Sequence, residues 1–401
     1  MKVLQIGASW LAYQFSGLER YYAELVTRLP PLGTEVTGLV YELKDSPEIK
    51  GLNLISFGTQ DKNVVLQYWH QRRLVKTYLN REIDIVVSHC TPSMFPSLAH
   101  LGDKPLICHF HGPRYLERAV EGANPLSVRL SKYIEQKVYA RTDHAITLSH
   151  YMKRVLVKTY GFSEEKISVV PGGVNVEHFK QTISRQEARQ ELGLPSDRPL
   201  IVTVRRLARR MGLDHLIEAI HEIRVTCPDI LLVIAGKGRL QKELDDQIRA
   251  RNLTRHVHMV GTVTDRELPL LYRAADFSIV PSSAYEGFGL ILVESLASGT
   301  PVLGTPVGAI PEVLGPLEKS LLLEGASTRQ LADGICEALS GGRKLPSMND
   351  CESYAVEHYA WPLVISSINS VYQNLVGKRR EKAASSVHSS KGVREAIVHE
   401  R

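Results

Sequence analysis

Short aliphatic runs alternate with amphipathic segments along most of this 401-residue chain, and that alternation constrains the fold more than any other feature. KVLQIG, DIVVSH, PLICHFHG and HAITLS come first; LIVTVRR, ILLVIAGKG, HVHMVG, FSIVPS and PVLGT follow. Runs without regular polar alternation suit strands buried on both faces, and such strands belong to parallel sheets covered by crossover helices. The series occurs twice. It breaks at VVPGGVNVEHF, where Pro171, Gly172 and Gly173 close the first set, and the charged stretch from Gln186 to Arg198 leads into the second. A chain of this length exceeds the size at which one core stops growing. The expectation is an α/β protein of two doubly wound domains, residues 1–172 and 173–360, facing a central cleft. The charged, serine-bearing segment 378–401 lacks large apolar residues and is expected to be disordered.

The net charge is +6, with basic excess in the first 170 residues and in the tail and a slight acidic excess between them. That balance suits an acidic substrate or an anionic membrane surface, and no nucleic-acid motif accompanies it. QYWHQRRLVKTYL (Gln67–Leu79) and SHYMKRVLVKTYGF (Ser149–Phe162) read as basic amphipathic helices. They raise a peripheral membrane contact as one possibility and helices packed on the first sheet as the other. No apolar run approaches the ~18 residues of a membrane span. Cys90, Cys108, Cys227, Cys336 and Cys351 show no paired or metal-ligand spacing, which argues for reduced thiols in a cytoplasmic compartment.

The segment SSAYEGFGLILVESLASGTPVLGT, Ser282 to Thr305, sets Glu286 and Glu294 among glycine and aliphatic residues. Leu290, Ile291, Leu292, Val293, Leu296 and Ala297 cover nearly every side of a short helix, so a carboxylate on it needs a partner. Gly287 and Gly289 open that helix, and its N-terminal N–H groups can receive an anion such as phosphate. Both carboxylates can meet one elongated ligand carrying phosphate and hydroxyl groups. The plainer alternative is that Glu294 makes a polar contact inside the protein and Glu286 is a solvated loop residue.

Other informative loops fall at strand ends, where ligands of such sheets bind. Gly17 heads a helix after the opening strand, and a glycine there lets backbone N–H groups approach a diphosphate. His109 and His111 share one face of their strand and both can line the cleft. No acidic residue follows in zinc-site spacing, so no metal is expected. In VTVRRLARRMGLDHLIEA, Arg206 with Arg209 or Arg210 offers bidentate donors to a diphosphate. IAGKGRL is a weak nucleotide signal, and Glu312 in GAIPE reads as structural.

With these residues in view, SGLERYY, FHG, VRRLARRMGLDHLI, the long stretch from VGTVTD through EGFGLILVESLASGTPVLGTPVGAIPEVL, and HYAWPLVISSI resemble the retaining glycosyltransferase family numbered four. The resemblance spans the chain except its tail. It implies the GT-B fold, two Rossmann-like domains, with a final helix over 361–377 returning to the first. It implies a nucleotide-sugar donor as substrate, UDP ahead of GDP or ADP, no cofactor and no metal, and a saccharide, lipid-linked or small-molecule acceptor in polysaccharide or glycolipid biosynthesis. By the resemblance, Glu286 contacts sugar hydroxyls and Glu294 the ribose. Gly17 meets the diphosphate, Arg206 neutralises it, and His111 sits by the reacting sugar. Gly287, Phe288, Gly289 and Leu290 offer backbone donors. Two departures stand out: Ser16–Gly17 replaces a glycine pair, and Met211 stands where a lysine is usual, leaving Arg210 or Arg209 as second cation. The competing expectations are a non-catalytic nucleotide-sugar-binding protein and a related sugar-nucleotide epimerase or sugar phosphorylase.

Overall fold

A computed structural model describes residues 1–10, 17–43, 45–58 and 64–398. In the first domain β1 (Lys2–Ser9), β2 (Glu35–Tyr41), β3 (Leu52–Ser56), β4 (Ile85–Ser88), β5 (Leu106–Phe110), β6 (His144–Thr147) and β7 (Ile167–Val169) form a parallel sheet in the order β3-β2-β1-β4-β5-β6-β7. In the second, β8 (Leu200–Val204), β9 (Leu231–Ala235), β10 (Val257–Gly261), β11 (Phe277–Val280) and β12 (Val302–Gly304) follow the order β10-β9-β8-β11-β12. Each of the nine aliphatic runs is a strand. β4, β5, β9 and β11 are buried along their whole length, as strands covered on both faces must be. This is the doubly wound α/β architecture expected from the alternation.

The strands not read from the sequence are β2, β3 and β7. Gly38 interrupts β2, whose close packing leaves room for no side chain there. β3 and β7 are short edge strands with polar residues among the apolar ones.

The expected disordered tail is instead helical. The helix that opens at Trp361 continues to Val398, and residues 399–401 lie outside the described residues. Along it, Tyr372 is buried against the first domain and Asn369 accepts from the Thr34 hydroxyl at 3.0 Å. Just beyond residue 377 two basic side chains find partners on that domain: Arg379 donates to Asp143 at 3.0 Å and to the Asp103 carbonyl, and Arg380 to Asp84 at 2.7 Å. Composition alone argued for a solvated segment. The carboxylates that dock it lie more than two hundred residues away in sequence.

Candidate active site

Ligands of open parallel sheets bind beyond the carboxyl ends of the strands, where the strand order reverses. The reversals fall between β1 and β4 and between β8 and β11. The segments leaving these strands face one another across the interdomain cleft and carry its charged groups.

Glu286 follows β11 and is buried. Arg205 Nη2 donates to its Oε2 at 2.6 Å, and the Ser282 hydroxyl donates to the same oxygen at 2.7 Å. Burial pulls its pKa upward, but the Arg205 charge and hydrogen bond, Ser282 and Arg210 together hold it below the ordinary value. It is therefore an ionised, partnered carboxylate and not a solvated loop residue. Backbone geometry aims it. Tyr285 sits in the left-handed region at φ 48°, which costs an L-residue roughly 1–2 kcal/mol, and its carbonyl accepts from Arg210 Nη1 at 3.1 Å. Gly308, at φ 65°, lies so close that a Cβ would stand 2.2 Å from the Glu286 carbonyl oxygen. That position needs glycine on both counts.

The helix Leu290–Ala297 starts at Gly289, and no side chain caps it among the described residues. Glu294 is buried within it. Tyr272 donates its hydroxyl to Oε2 at 3.3 Å, and Arg20 of the first domain reaches Oε1 at 3.8 Å. Burial raises the Glu294 pKa against the opposing pull of Arg20 and Tyr272. Glu294 thus has the internal polar contacts of the plainer reading while standing beside the cleft. Gly17 packs opposite Leu290, with only 3.5 Å between a Cβ built on Gly17 and Leu290 Cδ1; Ser16 lies outside the described residues. Gly287 approaches the His111 carbonyl, and the Ser149 hydroxyl donates to the Gly287 carbonyl at 2.8 Å. Phe288 is buried against Tyr359.

After β8, Arg206 opens onto the cleft. The surrounding protein and Arg210 lower its proton affinity, while Glu117, Glu121 and Glu19 raise it. Arg209 points to Glu243 on the rim, 3.3 Å away, whereas Arg210 is buried with Nη2 3.6 Å from Glu117. Of the two arginines weighed as second cation, Arg210 is the one in the cleft. The contact with Met211 belongs to Arg205, whose Nη2 lies 2.8 Å from the sulfur. Sequence reasoning gave Arg205 no role. The available signal was parity: successive residues leaving a strand point opposite ways, so Arg205 and Arg206 divide between two faces, and a buried Glu286 required a cation.

Three acids at the cleft were also missed. Glu19, in the first turn of the helix Gly17–Arg28, is raised to about 7 by burial, with Arg206 opposing. Glu117 faces Arg210, and Glu121 accepts the backbone N–H groups of Arg209 and Arg210 at 3.2 and 3.1 Å and a bond from Arg239. With Glu312, which accepts from His150 N at 2.7 Å and Tyr151 N at 2.6 Å, these bonds close one domain upon the other. Glu312 is thus an interdomain brace. It also places the start of the basic helix His150–Tyr160 at the domain interface, with Met152 and Leu156 buried.

His109 and His111 do lie on one side of β5, stacked with His89. Only His111 reaches the cleft. His109 is buried, bonded to the Tyr21 hydroxyl at 3.1 Å and to the Tyr372 hydroxyl at 2.7 Å. Burial lowers His111 to about 4, so it is neutral near pH 7. Among the described residues no group of three or more His, Cys, Asp or Glu is placed to hold a metal ion. No helix among them is long and apolar enough to cross a membrane. A concavity of about 730 Å³ near Arg185, Arg189 and Asp276 lies below the second sheet, away from these groups, and Asp276 pairs with both arginines.

Two family models match the chain half by half: Glycosyltransferase Family 4 over residues 15–178 and Glycosyl transferases group 1 over residues 184–358. An uncharacterized glycosyltransferase of Methanocaldococcus jannaschii is 28% identical over 61% of this chain and 64% of its own length. A D-inositol 3-phosphate glycosyltransferase of Acidothermus cellulolyticus is 30% identical over 64% of this chain and 59% of its own. The chain therefore spans somewhat less than two thirds of each. Among solved structures, sucrose-phosphate synthase from Thermosynechococcus elongatus superposes with a TM-score of 0.80 at 20% identity, covering 94% of this chain and 99% of that one. Anabaena HepE in complex with UDP-glucose gives 0.76 at 18%, covering 93% and 100%. Likeness at that identity speaks for the fold alone. Two parallel-sheet domains in this order, each matched by its own glycosyltransferase model, make the chain a glycosyltransferase of family four with the GT-B fold.

Proposed function

We propose that this glycosyltransferase moves a hexosyl group from a nucleoside-diphosphate donor to an acceptor with retention of anomeric configuration and without a metal ion. The observation that carries the reading is the pair Arg206 and Arg210 beside the uncapped start of the helix Leu290–Ala297. Charge develops on the diphosphate as it departs, and preorganised guanidinium and N–H donors stabilise it there. Glu286 orients donor-sugar hydroxyls and Glu294 the ribose. Gly17 and the backbone from Gly287 to Leu290 approach the phosphates. The acceptor hydroxyl adds to the anomeric carbon as the bond to phosphate breaks, on the same face, and its proton passes to the leaving phosphate oxygen. Neutral His111 then serves as a hydrogen-bonding neighbour of the reacting sugar, not as a required base. Glu286, committed to Arg205 and Ser282, is less suited to act as a nucleophile.

UDP is the first choice of nucleotide, ahead of GDP and ADP. Melting shifts with UDP, GDP and ADP, followed by proton NMR of the product anomer formed with and without EDTA, test the reading. Retained configuration and EDTA-resistant turnover are the expected outcome. An inverted anomer or loss of turnover in EDTA overturns it.

The acceptor we propose is presented at an anionic lipid surface. The supporting observation is the helix Pro125–Arg141, which exposes Leu126, Leu130 and Tyr133 by 72%, 60% and 51%, with Arg129 and Lys137 on the same side. It flanks the short helical segment Phe95–His100, on whose other side the helix Val64–Leu79 exposes Trp69 beside Arg72. Each Lys or Arg near an anionic leaflet contributes about 1 kcal/mol. The protein is expected to float with anionic liposomes at low salt and to release at high salt, and Leu126→Asp/Leu130→Asp is expected to abolish flotation. Flotation unchanged in that variant, or absent at low salt, refutes this face.

A further inference from the structure

We propose that Arg205 is a donor-binding residue, supplying from the end of β8 a third cation of the diphosphate clamp, beside Arg206 and Arg210 and next to position 211. The inference rests on the reading above, that the cleft takes a nucleoside diphosphate. Three observations support it.

First, Arg205 is buried at the centre of the acidic and cationic cluster. Its side chain is 3% exposed, and Nη2 meets Glu286 at 2.6 Å and the Met211 sulfur at 2.8 Å. Second, its Nη1 is buried with no hydrogen-bond partner among the described residues. Buried donors on a charged group are expensive to leave unpaired, and a guanidinium holds five of them in a fixed fork. One arm is committed to Glu286; the other awaits an acceptor. A phosphate oxygen matches the fork's geometry and sign. Third, methionine and lysine share an unbranched stem, with sulfur in the place of Cδ. A lysine at position 211 would carry its ammonium two bonds past the sulfur that now lies 2.8 Å from Arg205 Nη2.

The backbone keeps the arginine there. The Arg205 N–H donates to the Ala235 carbonyl at 2.8 Å, and Gly236, at φ 137°, lies so close that a Cβ would stand 1.8 Å from the Arg205 carbonyl oxygen. This cation is thus delivered from a paired strand end, whereas Arg209 and Arg210 come from the loop that follows. With Nη2 on Glu286 and Nη1 on a phosphate oxygen, Arg205 links the carboxylate that faces the sugar to the group that leaves it.

The test uses the full chain, calorimetric titration with UDP, GDP and ADP, and the variants Arg205→Ala, Met211→Lys combined with Arg205→Ala, Arg205→Gln and Arg206→Ala. Arg205→Gln keeps a hydrogen-bonding side chain without the charge and serves where the alanine variant does not fold. Loss of Arg205 is expected to weaken the best-bound nucleotide roughly tenfold or more, and the added Met211→Lys substitution to restore most of that loss. A merely structural arginine predicts no such rescue of binding. Binding by Arg205→Gln equal to wild type, or a folded double variant as weak as the single one, overturns the role of Arg205 while Arg206→Ala remains impaired. Binding unaffected by Arg206→Ala overturns the diphosphate reading and this inference with it.

Discussion

Arg206→Ala is expected to lower transfer about 10²–10³-fold, the loss typical of removing one donor aimed at a developing anion. Nucleotide affinity is expected to fall with it, because a hydrogen bond to a charged group contributes roughly 1.5–3 kcal/mol. The position explains why the loss falls on function and not on folding. Arg206 is exposed at the cleft, so its removal opens no cavity in the core, although it takes from buried Glu19 the charge that opposes its raised pKa. Glu117, Glu121 and Glu19 feel its charge, and without it the cleft becomes more acidic where a dianionic diphosphate must sit. Steady-state kinetics and calorimetry on the same preparation check the result. A variant that melts and turns over like wild type sinks the clamp.

Glu286→Ala is expected to have the larger structural effect. It leaves Arg205 buried beside a methionine sulfur, and breaking a buried pair on one side costs about 3–5 kcal/mol. Glu286→Gln retains the shape and isolates the charge. It is expected to slow transfer by two orders of magnitude or so, about 2.7 kcal/mol, with nucleotide affinity changed far less. Glu294→Ala is expected to do the reverse, weakening nucleotide binding about tenfold or more (~1.4 kcal/mol) and slowing transfer mainly through that. Thermal melts separate the stability cost from both. If Glu294→Ala binds the nucleotide as wild type does, the ribose role fails; if Glu286→Gln turns over normally, so does the sugar role.

The glycines of EGFG and the carboxylate pair were legible because their requirements are local. A helix start opened by glycine offers N–H groups wherever it lies, and an acid on an all-apolar helix demands a partner in any fold. The identity of that partner was not legible. Arg205 and Arg206 are adjacent in sequence and chemically identical, yet one is buried on Glu286 and the other faces the cleft. Glu117 and Glu121 sit on an unremarkable charged helix, and only the closure of one domain on the other brings them to Arg210 and Arg209. The same holds for His109, which parity assigned correctly to the face of His111 but which Tyr21 and Tyr372 enclose.

By itself the sequence determined the two parallel sheets, since runs of aliphatic residues too short for buried helices and too continuous for half-exposed strands have few other solutions. It also determined which loops carry the chemistry, because glycine, arginine and acid at strand ends are local signals. Only the tertiary structure decided which arginine pairs with Glu286, which acids line the cleft, and that the basic tail continues a helix docked on Asp84 and Asp143. These are pairings between groups distant in the chain, and their strength depends on burial and on distances of a few ångströms. Neither quantity exists until the two domains and the returning helix have packed together.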